Sequence, residues 1–531
     1  MSLTLKFTEE VQRRRTFAII SHPDAGKTTI TEKILYAGGV IRSTGEVKGK
    51  KGTKAVTSDW MAMERERGVS ITSSVMSFDH DGLRINLLDT PGHKDFSEDT
   101  YRTLIAADSA AMLIDSAKGV EAQTRKLYEV CKLKKMPIFT FANKMDREGK
   151  DPLDLIDDVE KTLEMKCYPV TWPIGIGDRF KGLYHRAKKK VYLFTRGEVK
   201  PEIMKVTGFD DPKIKERVTD PEVYDSFMET IELLEGALGP FDPEEFARGE
   251  VSPMTFGSAK FNWGVDLFLE LFCEHSPAPR PRMTTNGLLD PKEKSFSGFV
   301  FKIQANMDKN HRDRVAFIRV CSGTFDRGMK VAHQRLGRDL RLAYANQFIA
   351  GDRETVDQAY SGDIVGINDT GNFQIGDTIT SKKKMEFEPI PRFAPELFGR
   401  VGIKDPLKRK KMNEAVQHLV EEGLIQFFYD PNIGRQDSIL GVVGQLQFEV
   451  LLRRLQDEYN VDAKLENLGY EMARWVFNKE TGKPHYDCPK GVDRIFVDNY
   501  ELPVVLLESE WDLGWLERDN PELKFSMSAL G

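Results

Sequence analysis

Residues 16–29 read TFAIISHPDAGKTT, a short apolar run followed by a turn that ends in Gly26-Lys27-Thr28. From Ser21 through His22, Pro23, Asp24, Ala25, Gly26 and Lys27 to Thr28 the text is nearly G-x-x-x-x-G-K-[ST], with Ser21 where the first glycine belongs. A phosphate cradle survives that change, because backbone N–H groups and a helix N-terminus bind the anion. Lys27 is placed to reach β- and γ-phosphates, the Thr28 hydroxyl suits Mg²⁺, and Gly26 lets the backbone approach closely.

Outward from this loop the chain repeats one arrangement, an apolar run followed by a loop and a helical pattern. Residues 84–89 (RINLLD), 111–115 (AMLID), 138–143 (IFTFAN) and 254–258 (MTFGS) read as further strands. Strands alternating with helices predict a parallel sheet with helices on both faces, and ligands at the C-terminal strand ends. Three of those ends carry chemistry. Asp89-Thr90-Pro91-Gly92-His93 offers a carboxylate for a Mg²⁺ shell and a glycine N–H for a γ-phosphate. Asn143-Lys144-Met145-Asp146 places a carboxylate at Asp146 that can accept both the N1–H and the 2-amino group of guanine, a donor pair adenine lacks. Ser258-Ala259-Lys260 can close over the guanine O6.

The chain has 531 residues, 40% hydrophobic and 30% charged, which suggests three or four domains at ~150 residues each. That composition excludes a disordered chain, a collagen-like chain and a small disulfide scaffold. No run approaches a membrane span, and charges interrupt the N-terminus too early for a secretory signal. The five cysteines form no CxxC pair and read as reduced buried thiols, so a cytoplasmic location is expected. A net charge of −6 argues against a simple nucleic-acid coat but leaves room for local basic faces.

Residues 276–282 (SPAPRPR) and 390–395 (IPRFAP) read as linkers, because proline neither continues a helix nor pairs in a central strand. Between them, residues 296–380 carry short β-branched and aromatic runs broken by glycine–aspartate turns, the pattern of a β-barrel. Beyond them the pattern is α+β: helices are expected over 408–424 and 446–455, and an edge strand over 459–463. Far more chain separates Asn143 from Ser258 than one helix and one strand need, so an insertion is expected there, with extra strands over 166–192 and acidic helices over 220–250.

These residues resemble the translational GTPases. The finer text is most similar to the bacterial peptide chain release factor three family, itself elongation factor G-like. The resemblance covers nearly the whole chain, and its distinctive stretches are SHPDAGKTTITEK, SDWMAMERERGVSIT, LLDTPGHKDFSEDTYRTL, NKMDRE, GFVFKIQANMDKNHRDRVAF and GVVGQLQFEVLLRRL. The resemblance implies a multidomain α/β + β fold. A Ras-like P-loop GTPase domain with a mixed, mostly parallel sheet would occupy 1–280, with an inserted subdomain at about 165–250. A β-barrel at 290–385 and an α+β, ferredoxin-like domain at 392–531 would follow.

The resemblance also implies roles. Asp24, Gly26, Lys27, Thr28 and Thr29 would line the phosphate loop. Residues 67–72 would form switch I. Asp89 and Gly92 would anchor switch II, and His93 would orient the attacking water. Asn143, Lys144 and Asp146 would read guanine, supported by Ser258 and Ala259. Departures from the wider pattern are Ser21, Pro23 in place of one aliphatic wing of a hydrophobic gate, with Val69 as its other wing, and Ser70 in place of the Mg²⁺-binding threonine. The metal ligands expected are Thr28, Ser70 and Asp89, the last through water, with Thr72 as the alternative to Ser70. His22 reads as a structural loop residue.

The function implied is a ribosome-dependent GTPase of translation termination that promotes dissociation of the stop-codon-reading release factor after peptide release. GTP and GDP would be substrate and product, with Mg²⁺ as cofactor. The partners would be ribosomal RNA and proteins and the release factor, acting on a monomer. Basic faces at Lys302 with His311-Arg312-Asp313-Arg314, and at Lys404, Lys408, Arg409, Lys410 and Lys411, are candidates for phosphate contacts. Gly444-Gln445 follows Val443, so the Gly-Gly-Gln loop of peptidyl-ester hydrolysis is absent, and the length leaves no room for the further domains of a translocase. The alternatives are another translational GTPase, or a guanine-nucleotide sensor with little turnover, for which guanosine tetraphosphate is a possible ligand.

Overall fold

Alternation along the first strand decides the architecture. Phe17 and Ile19 pack with Ile30, Ile34 and Phe272 on one face, while Ala18 and Ile20 pack with Leu104, Leu127 and Ile138 on the other. A strand buried on both faces belongs inside a helix-covered sheet. The computed structural model describes residues 3–41, 62–67, 70–198, 200–305, 314–343, 345–349, 352–382 and 384–529. Val69 and the His311-Arg312-Asp313 part of the first basic cluster lie outside them.

The main sheet has seven strands. They are β1 (Arg14–Ser21), β2 (Ser74–His80), β3 (Leu83–Asp89), β4 (Ser109–Asp115), β5 (Ile138–Asn143), β6 (Lys166–Pro169) and, after the insertion, β11 (Val251–Phe256). Their order is β2-β3-β1-β4-β5-β11-β6, all parallel except β2, which runs antiparallel to β3. The mixed, mostly parallel sheet is therefore the one expected. Its helices include α1 (Leu3–Gln12), α2 (Lys27–Ala37), α3 (Ala62–Arg67), α4 (Ser97–Ala106), α5 (Ala122–Leu133) and α6 (Pro152–Leu163).

The residues grouped as extra strands divide in two. β6 joins the edge of the main sheet, whereas β7 (Thr171–Ile174), β8 (Gly182–His185), β9 (Lys190–Leu193) and β10 (Glu202–Lys205) form a separate antiparallel sheet. Helices Pro212–Arg217, Pro221–Ala237 and Pro243–Ala247 complete the insertion. Each starts with proline behind an aspartate, Asp211, Asp220 or Asp242, whose carboxylate accepts the first free N–H groups.

An eight-stranded antiparallel sheet follows, built around the long pair Ser297–Ala305 and Arg314–Ser322 and a core of Phe296, Val300, Ile318 and Phe325. It is tied to the main sheet by buried polar contacts. Arg319 pairs with Asp108, and the Gly362 carbonyl accepts from Thr16 Oγ1 at 2.7 Å and from Asn86 Nδ2 at 3.2 Å.

The last region begins Leu397–Ile403, helix Arg409–Glu421, Gln426–Tyr429, Ile439–Val442, helix Gln445–Asp457 and Ala463–Leu468. These four strands pair in the order fourth, first, third, second, which is the ferredoxin-like arrangement, and four later strands (Met472–Asn478, Phe496–Asp498, Pro503–Leu507 and Leu523–Ser526) extend them to an eight-stranded sheet. The edge strand lies at Ala463–Leu468, four residues beyond its expected start. Tyr459 instead follows directly from the helix, buries its ring and bonds His418 Nδ1 through its hydroxyl at 2.9 Å.

Two expectations need correction. Cys131, Cys167 and Cys321 are buried and Cys273 half-buried, but Cys488 is exposed. Lys302 belongs to no basic face: it is 4% exposed and turned inward.

Candidate functional site

The turn after β1 closes by a hydrogen bond from Ala25 N to the His22 carbonyl at 3.2 Å, and α2 begins behind Gly26. Gly26 has φ +99°, and a Cβ there would lie 2.3 Å from Asn143 Nδ2. Conformation and space therefore both demand glycine. Asp24 has φ +67°, a left-handed conformation that aspartate tolerates better than most residues. Ser21 is buried at the strand end, and its Oγ has no hydrogen-bond partner among the described residues. His22 Nε2 lies 3.3 Å from Glu121. Pro23 backs onto the loop after β3, since a Cβ on Gly92 would lie 3.5 Å from its Cα.

One amide holds three of the predicted loops together. Asn143 Nδ2 donates to the Ala25 carbonyl at 2.8 Å, and its Oδ1 accepts from Lys144 N at 2.8 Å and Ala259 N at 2.9 Å. Its side chain thus fixes the loops after β5 and β11 against the loop after β1. Lys144, at φ +69°, lays its ammonium between the Asp24 carbonyl at 2.6 Å and Asp115 Oδ2 at 2.7 Å. Burial alone would raise the Asp115 carboxyl, but the Lys144 ammonium and the Ala117 N–H outweigh it and hold it below its usual range. Met145 is buried and its N–H donates to the Gly257 carbonyl at 3.0 Å. Asp146 Oδ1 accepts from Ser258 Oγ at 2.6 Å, so the strand-end serine orients that carboxylate. Lys260 projects over the Phe261 ring, 4.8 Å from its centre.

At the phosphate end, Lys27 Nζ donates to Asp89 Oδ1 at 2.6 Å and to Ser70 Oγ at 3.2 Å. Ser70 Oγ also lies 3.4 Å from Thr28 Oγ1, and Thr31 Oγ1 donates to Asp89 at 3.3 Å. Thr90 Oγ1 closes back on the Ile19 carbonyl at 2.6 Å. Thr72 is directed elsewhere, its N–H and hydroxyl meeting Glu64 Oε1 at 3.1 and 3.4 Å. The structure thus brings Ser70, not Thr72, to Thr28, and joins it to Asp89 through Lys27. Two hydroxyls and a carboxylate are hard oxygen donors, a set that fits Mg²⁺ when it keeps several waters and substrate phosphates.

His93 stands at the start of a short turn, 33% exposed on its side chain, with Nδ1 accepting from Asp95 N at 3.2 Å. Asp95 reaches further: its Oδ2 accepts from Leu446 N at 2.8 Å, the first turn of helix Gln445–Asp457. Met63, Ile71, Phe96 and Val450 form one small apolar cluster at the same junction. The segments around Ile71 and Phe96 and the C-terminal region therefore share a core.

Sequence reading missed several residues that organise the site. Glu64 accepts from Ile71 N and Thr72 N, Asp99 accepts from Ser73 N at 2.9 Å, and Lys302 bonds Ser73. Glu64, Asp99 and Lys302 lie inside stretches quoted for the resemblance, but no spacing rule signals these contacts, and the one from Lys302 crosses domains. In the second basic cluster, Lys404 pairs with Asp462 at 2.6 Å and Lys408 donates to the Asn460 carbonyl at 2.7 Å.

Three family models match consecutive parts of the chain: the elongation factor Tu GTP binding domain over residues 12–278, elongation factor G domain 2 over 295–382, and the class II release factor RF3 C-terminal domain over 387–517. A peptide chain release factor 3 from Symbiobacterium thermophilum is 51% identical over 525 residues, covering 98% of both chains. One from Trichodesmium erythraeum is 49% identical over 98% of this chain and 96% of its own. One from Listeria monocytogenes is 49% identical over 98% of both. A crystal structure of a protein from Thermus thermophilus shares the fold, with a TM-score of 0.69 at 24% identity over 92% of this chain and 72% of its own.

Proposed function

This chain belongs to the peptide chain release factor 3 family, and on that premise we propose that it hydrolyses GTP on the ribosome and uses the cycle to promote departure of the stop-codon-reading release factor after peptide release. The observation that carries the reading is the convergence of four strand-end loops on one site, tied by Asn143 and closed by Ser70 against Thr28.

In this reading the Asp146 carboxylate, oriented by Ser258, accepts from guanine, and the Ala259 loop closes over O6. Backbone N–H groups from Asp24 to Thr29 cradle the phosphates, and Lys27 moves from Asp89 to the β- and γ-oxygens. Thr28 and Ser70 would hold Mg²⁺ directly and Asp89 through water. The ion, when bound, neutralises charge on the β- and γ-phosphates. Gly92 N–H meets the γ-phosphate, and His93 orients the attacking water, since phosphoryl transfer needs mainly positioning and charge stabilisation. Loss of the γ-phosphate removes what Ser70 and Gly92 hold, and the contacts at Ile71, Phe96 and Asp95 pass that loss to the C-terminal region. The absent Gly-Gly-Gln loop supports a factor that does not itself cleave the peptidyl ester.

The test is GTP hydrolysis with and without ribosomes, wild type beside His93→Ala, followed by release-factor dissociation from terminated ribosomes. Strong ribosome stimulation lost in His93→Ala, together with faster dissociation, is expected. A second reading, a guanine-nucleotide sensor with little turnover, is favoured by one feature: His93 is engaged with Asp95. Tight nucleotide binding, guanosine tetraphosphate included, with no stimulated turnover would select it.

A further inference from the structure

Helix Glu510–Asp519 packs onto the C-terminal sheet through Leu516 and Leu513, against Val505, Leu507 and Phe525. Its opposite face carries Trp511, 81% exposed, and Trp515, 58% exposed, one helical turn apart. Two indoles so placed are a large apolar surface that the described part of the fold does not use. Gly514 lies between them. A mid-helix glycine is unfavourable relative to alanine, yet a Cβ there would meet nothing within 4 Å. Internal packing does not require it, and its effect is a notch beside Trp511. Arg518 stacks over Trp515 at 4.7 Å.

The surroundings are acidic. Glu508, Glu510, Asp512, Glu517, Asp519 and Glu522 are all exposed, against Arg518 alone among residues 508–522. Indole faces can stack RNA bases, but six exposed carboxylates among residues 508–522, offset by Arg518 and by Arg474 beside Glu510 and Glu517, disfavour phosphates. The same field attracts lysine and arginine, whose cations also rest favourably on tryptophan faces.

We propose that the Trp511–Trp515 face is a docking surface for a lysine- or arginine-rich protein segment, seated on the two indoles and the Gly514 notch and oriented by the flanking carboxylates. It is separate from the nucleotide site and does not depend on how that site is read.

The test uses the full chain with 5-fluorotryptophan at its six tryptophans, observed by ¹⁹F NMR, with resonances assigned by single Trp→Phe variants. Buried Trp172, Trp263 and Trp475 serve as internal references. Protamine, an arginine-rich peptide, should shift the Trp511 and Trp515 resonances saturably and leave the references in place. Trp511→Ala/Trp515→Ala should weaken binding at least tenfold, and Glu508→Lys/Asp512→Lys should weaken it as well. Unmoved resonances, or equal affinity in the double alanine variant, would overturn the proposal. So would shifts caused by poly(U), which would assign the face to RNA, or shifts that depend on protein concentration alone, which would assign it to a second copy.

Discussion

Lys302, from the barrel strand Ser297–Ala305, donates to the main-chain carbonyl of Ser73, three residues past Ser70. It also meets Ser73 Oγ at 3.1 Å. With Glu64 on the N–H groups of Ile71 and Thr72 and Asp99 on that of Ser73, the backbone behind Ser70 is held on both its donors and its acceptor. Burial pulls the Lys302 ammonium below its ordinary range, although Asp99, Glu64 and Glu422 act in the opposite direction. Removing it would leave those carboxylates less compensated. Lys302→Met is therefore expected to weaken binding of a non-hydrolysable GTP analogue about tenfold and to leave GDP affinity nearly unchanged, because in the proposed cycle only the γ-phosphate state engages Ser70. Calorimetry with both nucleotides checks this, and equal losses would contradict it.

Gly26→Ala should abolish tight nucleotide binding. The φ of +99° and the 2.3 Å approach to Asn143 act together, so the fold should also lose roughly 1–3 kcal/mol. Urea denaturation beside a nucleotide-binding assay measures both effects.

Gly444 has an ordinary φ of −153°, so a side chain there meets no backbone strain. A Cβ would nonetheless lie 2.0 Å from Asp95 Cγ. Gly444→Ala should push the C-terminal region away from Asp95 and lower ribosome-stimulated hydrolysis several-fold. GDP affinity of the free protein should stay within about twofold, since the coupling through Asp95 answers to the γ-phosphate alone. Stimulated turnover equal to wild type would show that this contact transmits nothing.

His185, at the end of β8, is held at about 4, chiefly by burial and further by the Lys188 ammonium. Its folded value lies below the unfolded 6.5, so between these values the unfolded chain binds more protons and stability rises with pH. Acidification from pH 6.5 toward 4 should cost the insertion on the order of 3 kcal/mol from this residue. Chemical denaturation at pH 7 and pH 5 should show a smaller drop for His185→Gln than for wild type.

Thiol accessibility gives a simple check on the core. Burial pushes Cys131 up to about 12 and Cys321 up to about 11, so neither presents a thiolate near neutrality. A thiol reagent should titrate Cys488 first in native protein and reach the buried thiols only after unfolding. Fast loss of Cys131 in native protein would contradict the packing described.

The strands β1, β3, β4, β5 and β11 were legible because burial on both faces writes them as continuous apolar runs. β2, with the text SVMSFDH, was missed because it mixes polar and apolar residues and acquires its identity only by pairing with β3. Tyr459 and Val461 carried a strand-like alternation, but tight packing at a helix end used them instead. Local text could identify Ser70 and Thr72 as candidates but not choose between them, since the choice rests on where Glu64 and Lys302 hold the backbone.

Chemistry confined to a few consecutive residues is readable from the sequence itself: the glycine–lysine–threonine turn, and the Asn143–Asp146 stretch whose carboxylate is expected to meet guanine. Such motifs work through backbone geometry and neighbouring side chains, so their meaning travels with the text. Tertiary structure decided everything that joins distant segments. Asn143 ties three loops, Lys302 holds Ser73, and Asp95 receives Leu446 from the far end of the chain. A hydrogen bond between residues hundreds of positions apart leaves no periodicity behind, because each partner looks locally like any other polar residue until folding removes it from water.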